Sequence, residues 1–401
     1  MDLKSPEVFW PIRSGLLASY PPLESDAVCD VAIIGAGITG ALLADALADS
    51  GVDVLLLDKR EAGHGSTSAS TGLLQYEIDL MLTDLIERHG EEHACRAFRL
   101  CLDAVDRIRD LATELGDCGV SSRPSCYLAS QERDVPDLRT ECDARRRIGI
   151  DVEFLGPEGL RERLGIDAPG ALWSAQAAEV DAYRLTHRLF ARARGRGAGV
   201  FDRTEVIKQE RVADGWRLKT DRGPAVSARW LVLATGYEAA LLLKRKRVAL
   251  HSTFAAISQP QTAFPGWTSR CLIWESARPY FYARTTDDDR ILVGGEDAKF
   301  RNASARDALL PKKVRNLEKR FAALMPMIAF ETEYAWAGTF AETPDGLPYI
   351  GEPPEYPGGL FALGYGGNGI TFSAIAADLL RSVVLGRPDP HLDLFRFDRG
   401  A

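Results

Sequence analysis

Hydrophobic and polar positions along this chain fall into several patterns, and each predicts a different element. A continuous apolar, β-branched run at 31–34 suits a strand buried on both faces. It breaks at Gly35-Ala36-Gly37-Ile38-Thr39-Gly40, and a helix-forming run, 41–48, carries the chain to Ser50-Gly51. A second buried strand, 52–57, ends in Asp58. Helical spacing returns over 79–115, with apolar residues at Leu82, Leu85 and Ile86, then at Ala97, Leu100, Cys101, Ala104, Val105, Ile108 and Leu111. Residues 120–172 read as short strands and small helices, including strands at 126–129 and 152–155. A new unit opens near Glu179, with a helix to about Arg194 and short strands after it. A strand alternates over 216–220, and a buried one at 230–233 ends in Ala234-Thr235-Gly236. From 241 to 334 the pattern is irregular and aromatic, apart from the alternation of Tyr280, Tyr282 and Arg284 on one strand face. The last predicted unit is a strand at 360–363, a glycine-rich turn to Gly369 and a helix over about 370–385. Residues 1–27, with four prolines among Phe9, Trp10 and Tyr20, read as an extended arm rather than a helix. Its aromatics would anchor it to the body or to a second subunit.

The first strand, turn, helix, strand and terminal acid are in register for dinucleotide binding. Gly35 permits the tight turn, Gly37 lets backbone approach a pyrophosphate, and Gly40 lets the helix lie against the strand. The helix N-terminus offers unpaired N–H groups to phosphate, and Asp58 can accept from a ribose 2′-OH. A 2′-phosphate would be repelled there, despite Lys59 and Arg60. The Gly-, Ser- and Thr-rich stretch 63–72 supplies a second loop of donors. An NAD-only domain needs no such loop, so the tract favours FAD. The third glycine-rich turn, at 364–369, opens a helix whose N-terminus would set positive partial charge against a flavin.

A length of 401 residues admits two domains, and a net charge of −8 argues against a nucleic-acid partner. The basic clusters 192–196 and 244–247 read as a solvated helix end or loop. Seven cysteines without a C-x-x-C pair suit reduced thiols and a cytoplasmic location. The first residues lack the apolar core of a secretion signal, and no run approaches a membrane span. His89 and His93 could share a helix face only without a break, and Gly90 lies between them, so no metal site is expected.

Three glycine-rich turns, at 35–40, 234–236 and 364–369, together with HGSTSASTG, RILVGGED and TPDGLPYIG, resemble the D-amino-acid oxidase-type superfamily of FAD-dependent oxidoreductases. Glycine oxidase, sarcosine oxidase and γ-glutamylputrescine oxidase belong there. The resemblance runs in order from Phe9 to Thr371. It implies an α/β fold, with a Rossmann-like FAD-binding domain and an interleaved α+β substrate domain on a mostly antiparallel sheet. The FAD-binding domain would comprise 28–84, 173–240 and 335–401, and the substrate domain 85–172 and 241–334. Gly35, Gly37, Ile38, Thr39, Gly40, Asp58 and Lys59 would hold the ADP half. Ser66, Thr67 and Ser68 would lie along the pyrophosphate and ribityl chain, and Val206, Ala234, Thr235 and Gly236 near the adenine. Gly366, Gly367, Asn368, Gly369 and Ile370 would approach the isoalloxazine. Arg284, which could grip a carboxylate, Tyr280, Tyr282, Gln75 and Tyr76 are the candidates for substrate orientation.

The resemblance also shows departures. Sarcosine oxidases can tether flavin to a cysteine just before the TPD motif, where this chain has none, so non-covalent FAD is expected. They also place an oxygen-activating lysine on the strand that matches 290–294. This chain has none there, so oxygen is not carried over as the acceptor. The implied activity is oxidation of a C–N bond in a small amine or amino acid by hydride transfer to flavin N5, followed by imine hydrolysis. The alternatives are a hydroxy-acid or polyol-phosphate dehydrogenase, and a flavin-binding subunit active only in a hetero-oligomer.

Overall fold

The structure is a computed structural model that describes residues 2–243, 245 and 247–399. Among them the strands form two sheets. In the first, Ala27–Ile34 lies parallel between Val54–Leu57 and Ala225–Leu233, with parallel strands Gly199–Phe201 and Gly359–Leu363 outside these. Tyr349–Gly351 closes one edge antiparallel, and the hairpin Val206–Val212/Gly215–Thr220 pairs with Ala225–Leu233. Both faces are covered, which explains the unbroken apolar runs. Val31, Ile33, Val54 and Leu56 join the core with helices Ile38–Asp49, Ala182–Gly195 and Gly369–Val384. Ala32, Leu55, Leu57 and Leu231 pack on the opposite side with Trp216 and Phe361.

The second sheet runs in the order Thr332–Glu342, Ala249–Ser258, Ile291–Lys299, Phe281–Thr285, Leu272–Glu275, Ser121–Leu128, Ala171–Glu179 and Leu73–Leu74. All its pairs are antiparallel except Leu272–Glu275 with Ser121–Leu128. Helix Ala303–Leu324 packs on it through Leu317 and Phe321, against Phe254, Phe281 and Val293.

These sheets correct several expectations. The domain boundaries expected at 173 and 335 fall inside strands of the second sheet, as do Leu73 and Leu74. Helices Leu82–His89 and Glu91–Leu115, expected mainly with the substrate domain, instead pack in the helical core of the first sheet through residues such as Leu85, Phe98, Val105 and Ile108. The stretch read as irregular from 241 holds a ten-residue strand and a 22-residue helix. The arm is not wholly extended, because Phe9–Ser14 is a short helix with Phe9 and Trp10 buried. Gly90, at φ 81°, separates His89 from His93 into successive helices. The basic clusters are not simply solvated. Arg192 and Arg196 converge on Asp45 at 2.6 and 3.1 Å, and Arg247 pairs with Glu355 at 2.9 Å. Lys244 and Lys246 of the second cluster lie outside the described residues.

Candidate active site

A cavity of about 480 Å³ is lined from both sheets. At one end the turn after the first strand is as tight as its glycines allow. Gly35 has φ +118°, and a Cβ there would lie 2.3 Å from the Ala234 carbonyl oxygen. Backbone N–H groups of Ala36 and Arg60 donate to the two oxygens of Asp58 at 2.7 and 2.8 Å. Burial pushes the Asp58 pKa up, while those two bonds oppose it. Lys59 lines the same end, with its ammonium 3.1 Å from Glu238. Gly37, Ile38, Thr39, Val206, Ala234, Thr235 and Gly236 line it too, whereas Gly40 lies behind it against Gly35.

The donor loop forms a single helical turn, Ser66–Ala69. Ser66 and Thr67 line the cavity, and Thr67 Oγ1 already accepts from the Ile38 N–H at 2.9 Å. Ser68 turns away from the lining, buried, and donates to the Gly65 carbonyl at 3.0 Å. Two indoles fix the loop from outside: Trp10 donates to the Ser70 carbonyl at 2.6 Å and Trp336 to the Ala69 carbonyl at 2.9 Å. Around this stretch the Ser66, Thr235 and Tyr365 hydroxyls are buried in the cavity wall with no hydrogen-bond partner among the described residues. Orphan donors, two helix N-termini and a glycine turn make a set that fits a flavin dinucleotide.

At the far end Gly366, Gly367, Asn368, Gly369 and Ile370 line the wall. Asn368 donates its amide to the carbonyls of Gln75 and Glu77, at 3.2 and 2.6 Å, and Thr371 donates to Gln75 at 3.1 Å. The turn is thereby pinned to residues 75–77. Gly366, at φ +57°, has no room for a side chain, since a Cβ would lie 2.2 Å from Asp79 Oδ2. Gln75, Tyr280 and Tyr282 line the cavity. Tyr282 lies across Gly294, the position within RILVGGED that leaves space for its ring.

Two candidates are placed elsewhere. Arg284 is 1% exposed and off the cavity, with its donors taken by the carbonyls of Thr71 (2.5 Å), Thr285 (2.9 Å) and Val180 (3.2 Å). Its charge faces Glu179 at 3.6 Å. A guanidinium so occupied cannot grip a substrate carboxylate. Tyr76 is fully buried, accepts from Arg145 at 3.3 Å and packs edge-on to Phe98. The cavity instead presents Arg278, Trp274, Glu77 and Asp79, which sequence reasoning missed. The alternation 280–282–284, extended two residues backwards, would have found Arg278. Among the described residues no cysteine or histidine lines the cavity, and no cluster of three His, Cys, Asp or Glu could hold a metal ion.

Similarity to known proteins agrees with this geometry. The chain is 28% identical over 396 residues to glycine oxidase of Geobacillus kaustophilus (strain HTA426), covering 92% of this chain and 96% of that one. A chain of Rhizobium meliloti, named as one subunit of an opine oxidase, is 25% identical over 396 residues, with 92% and 98% covered. The crystal structure of glycine oxidase from Geobacillus kaustophilus superposes with a TM-score of 0.79 at 25% identity, over 94% of this chain and 100% of that one. The family model described as FAD dependent oxidoreductase, DAO, matches residues 30–382. With its glycine turn, donor loop and pinned third glycine-rich turn converging on one cavity, the chain belongs to the DAO family of FAD-dependent oxidoreductases, and FAD is its cofactor.

Proposed function

We propose that this chain oxidises a C–N bond of a small amine or amino acid with non-covalently held FAD, and that the imine product hydrolyses in water. The observation that carries this reading is the single cavity reaching from Asp58 to the wall of Tyr280 and Tyr282. Bound FAD supplies the two-electron chemistry, accepting hydride at flavin N5. Gly35, Gly37 to Thr39, Asp58, Lys59, Ser66, Thr67, Val206 and the 234–236 turn would hold its dinucleotide half, and the 366–370 turn its ring. With no cysteine or histidine among the described lining residues, the cavity offers no usual covalent tether.

The chain's own residues position and exclude. Tyr280 keeps its proton, because burial holds its pKa well above the ordinary value, so it presents a neutral hydroxyl. The N-terminus of helix Gly369–Val384 sets positive partial charge on the wall beside Asn368. No positioned general base is required if the amine reaches the wall neutral. Seven buried, free cysteines suit the reducing cytoplasm. The glycine oxidase and opine oxidase relatives support nitrogen-bearing substrates.

The test is product analysis with an artificial electron acceptor. Each carbonyl formed should be matched by one ammonia or smaller amine released. A carbonyl formed without nitrogen release, from a hydroxy acid or polyol phosphate, would contradict the reading. One observation favours a second reading, a chain that works within a hetero-oligomer: Leu241 and Leu242, on the cavity lining, are 68% and 40% exposed, and the opine oxidase relative is named as one subunit of its enzyme. The mass and activity of the chain expressed alone distinguish the two.

A further inference from the structure

After Gly72 the chain makes a two-residue strand against Ala178 and Glu179, then runs along the far end of the cavity as Gln75 to Asp79. Its backbone is fixed there, because Asn368 and Thr371 consume the carbonyls of Gln75 and Glu77. That fixing delivers two carboxylates to the cavity wall. Asp79 Oδ2 accepts from the Gly367 N–H at 2.8 Å, which ties it to the turn that would meet the flavin ring. Glu77 is 4% exposed, lines the same end, and its Oε2 has no hydrogen-bond partner among the described residues. Its other oxygen is 3.6 Å from Arg145, but Arg145 is closer to Glu141, at 2.7 Å, and also donates to Tyr76.

Two more acids stand near this end. Asp297, three residues along the strand from the Gly294 that faces Tyr282, has a buried Oδ1 without a hydrogen-bond partner among the described residues. Glu342 is 3.3 Å from His251, and Asp79 acts on both acids through space. Among the described lining residues at this end, the cationic side chain is Arg278. It is exposed, bonds only the carbonyls of Ala277 and Asp79, and lies over the Tyr280 ring at 4.9 Å. Trp274, Tyr280 and Tyr282 add aromatic side chains to the wall.

A buried carboxylate oxygen with no partner is costly unless a cation or donor reaches it. A ligand carboxylate would meet repulsion from Glu77 and Asp79, whereas an ammonium would be paired and would also find the faces of aromatic rings. From this arrangement, and resting on the C–N oxidation reading, we propose that Glu77 and Asp79 form an ammonium subsite. The preferred substrates would then be amines bearing a second cationic group, of the α,ω-diamine type, rather than amino acids with uncharged side chains.

The test uses the FAD-loaded enzyme under anaerobic conditions, titrated with diaminobutane, diaminopentane, the matched monoamines butylamine and pentylamine, glycine, and a hydroxy acid. Perturbation of the flavin spectrum reads binding, and bleaching reads reaction. A diamine should bind at least about tenfold more tightly than its monoamine or glycine, a ratio worth about 1.4 kcal/mol. That ratio should collapse in Asp79→Asn and in Glu77→Gln with flavin content unchanged. Two substitutions guard against one failing to fold. Tighter binding of glycine, or no response to either diamine, would overturn the subsite and leave C–N oxidation standing. Bleaching by the hydroxy acid alone would overturn both. A diamine preference that survives in both variants would remove these two residues from recognition.

Discussion

Asp297 shows how the acidic end of the cavity sets charge against stability. Burial pushes its carboxyl up to about 7, Thr253 opposes this, and Asp79 and Glu342 add to it. Because the folded pKa is raised above the ordinary 3.8, the native state holds a proton that the unfolded chain has released. Stability contributed by that proton is present at low pH and is lost as pH rises from about 4 through about 7. Asp297→Asn should therefore flatten the pH dependence. It should make the FAD-loaded protein more stable than the parent at about pH 8, by on the order of 2 kcal/mol, with little gain at about pH 4. Urea midpoints at the two pH values check it. An unchanged difference would mean that Asp297 ionises freely in the fold. At this scale the sequence is least informative. Arg278 and Arg284 share a strand parity and one residue type, and only the fold shows that Glu179, Thr71 and Val180 occupy the second.

Elements explain what those occupied arginines do. Arg284 stands on the strand Phe281–Thr285 and reaches both the donor loop at Thr71 and the end of the strand Ala171–Glu179, with Trp10 of the arm 5.3 Å from its guanidinium. It ties four segments of chain together beneath the loop. Arg284→Ala leaves Glu179, fully buried, with Arg123 at 2.9 Å and the Thr285 hydroxyl at 3.5 Å as its remaining partners. The expected loss is about 3–5 kcal/mol of stability, as for breaking a buried ion pair. It should be read as a lowered denaturation midpoint, with substrate KM changed less than FAD retention. A raised KM in a protein of parental stability would return Arg284 to the substrate wall.

The elements also divide by legibility. Strand Ala27–Ile34 announces itself through its inner half, Val31 to Ile33, where both faces are buried and each residue is apolar, as it is in Val54–Leu57 beside it. Strand Ala249–Ser258 does not, because half-exposed His251 and Thr253 share it with buried Phe254 to Ile257. Helix Ala303–Leu324 carries Pro311, and of its 22 residues only Arg306, Leu317 and Phe321 are buried, so its apolar stripe is too thin to show as a period.

For the whole molecule, the Asp58 end of the cavity is readable because glycine spacing, a terminal acid and small-residue turns are local signals. The far end of the cavity is assembled from residues near 75–79, 253–255, 274–282 and 336–340, which meet only when the second sheet closes over the first. No local pattern encodes that meeting, so the acids at 77 and 79 stay hidden in the sequence while Arg284 stands out in it. Among the described residues no helix is long and apolar enough to cross a membrane.

The central claim, that one cavity holds FAD and oxidises a C–N bond beside it, is tested most directly by the visible spectrum of the purified protein during anaerobic addition of amines, amino acids and hydroxy acids. The expected result is a yellow protein whose flavin is released by acid precipitation and whose absorbance is bleached by an amine or amino acid. A protein that stays colourless in the presence of added FAD, or one bleached only by hydroxy acids, would contradict it.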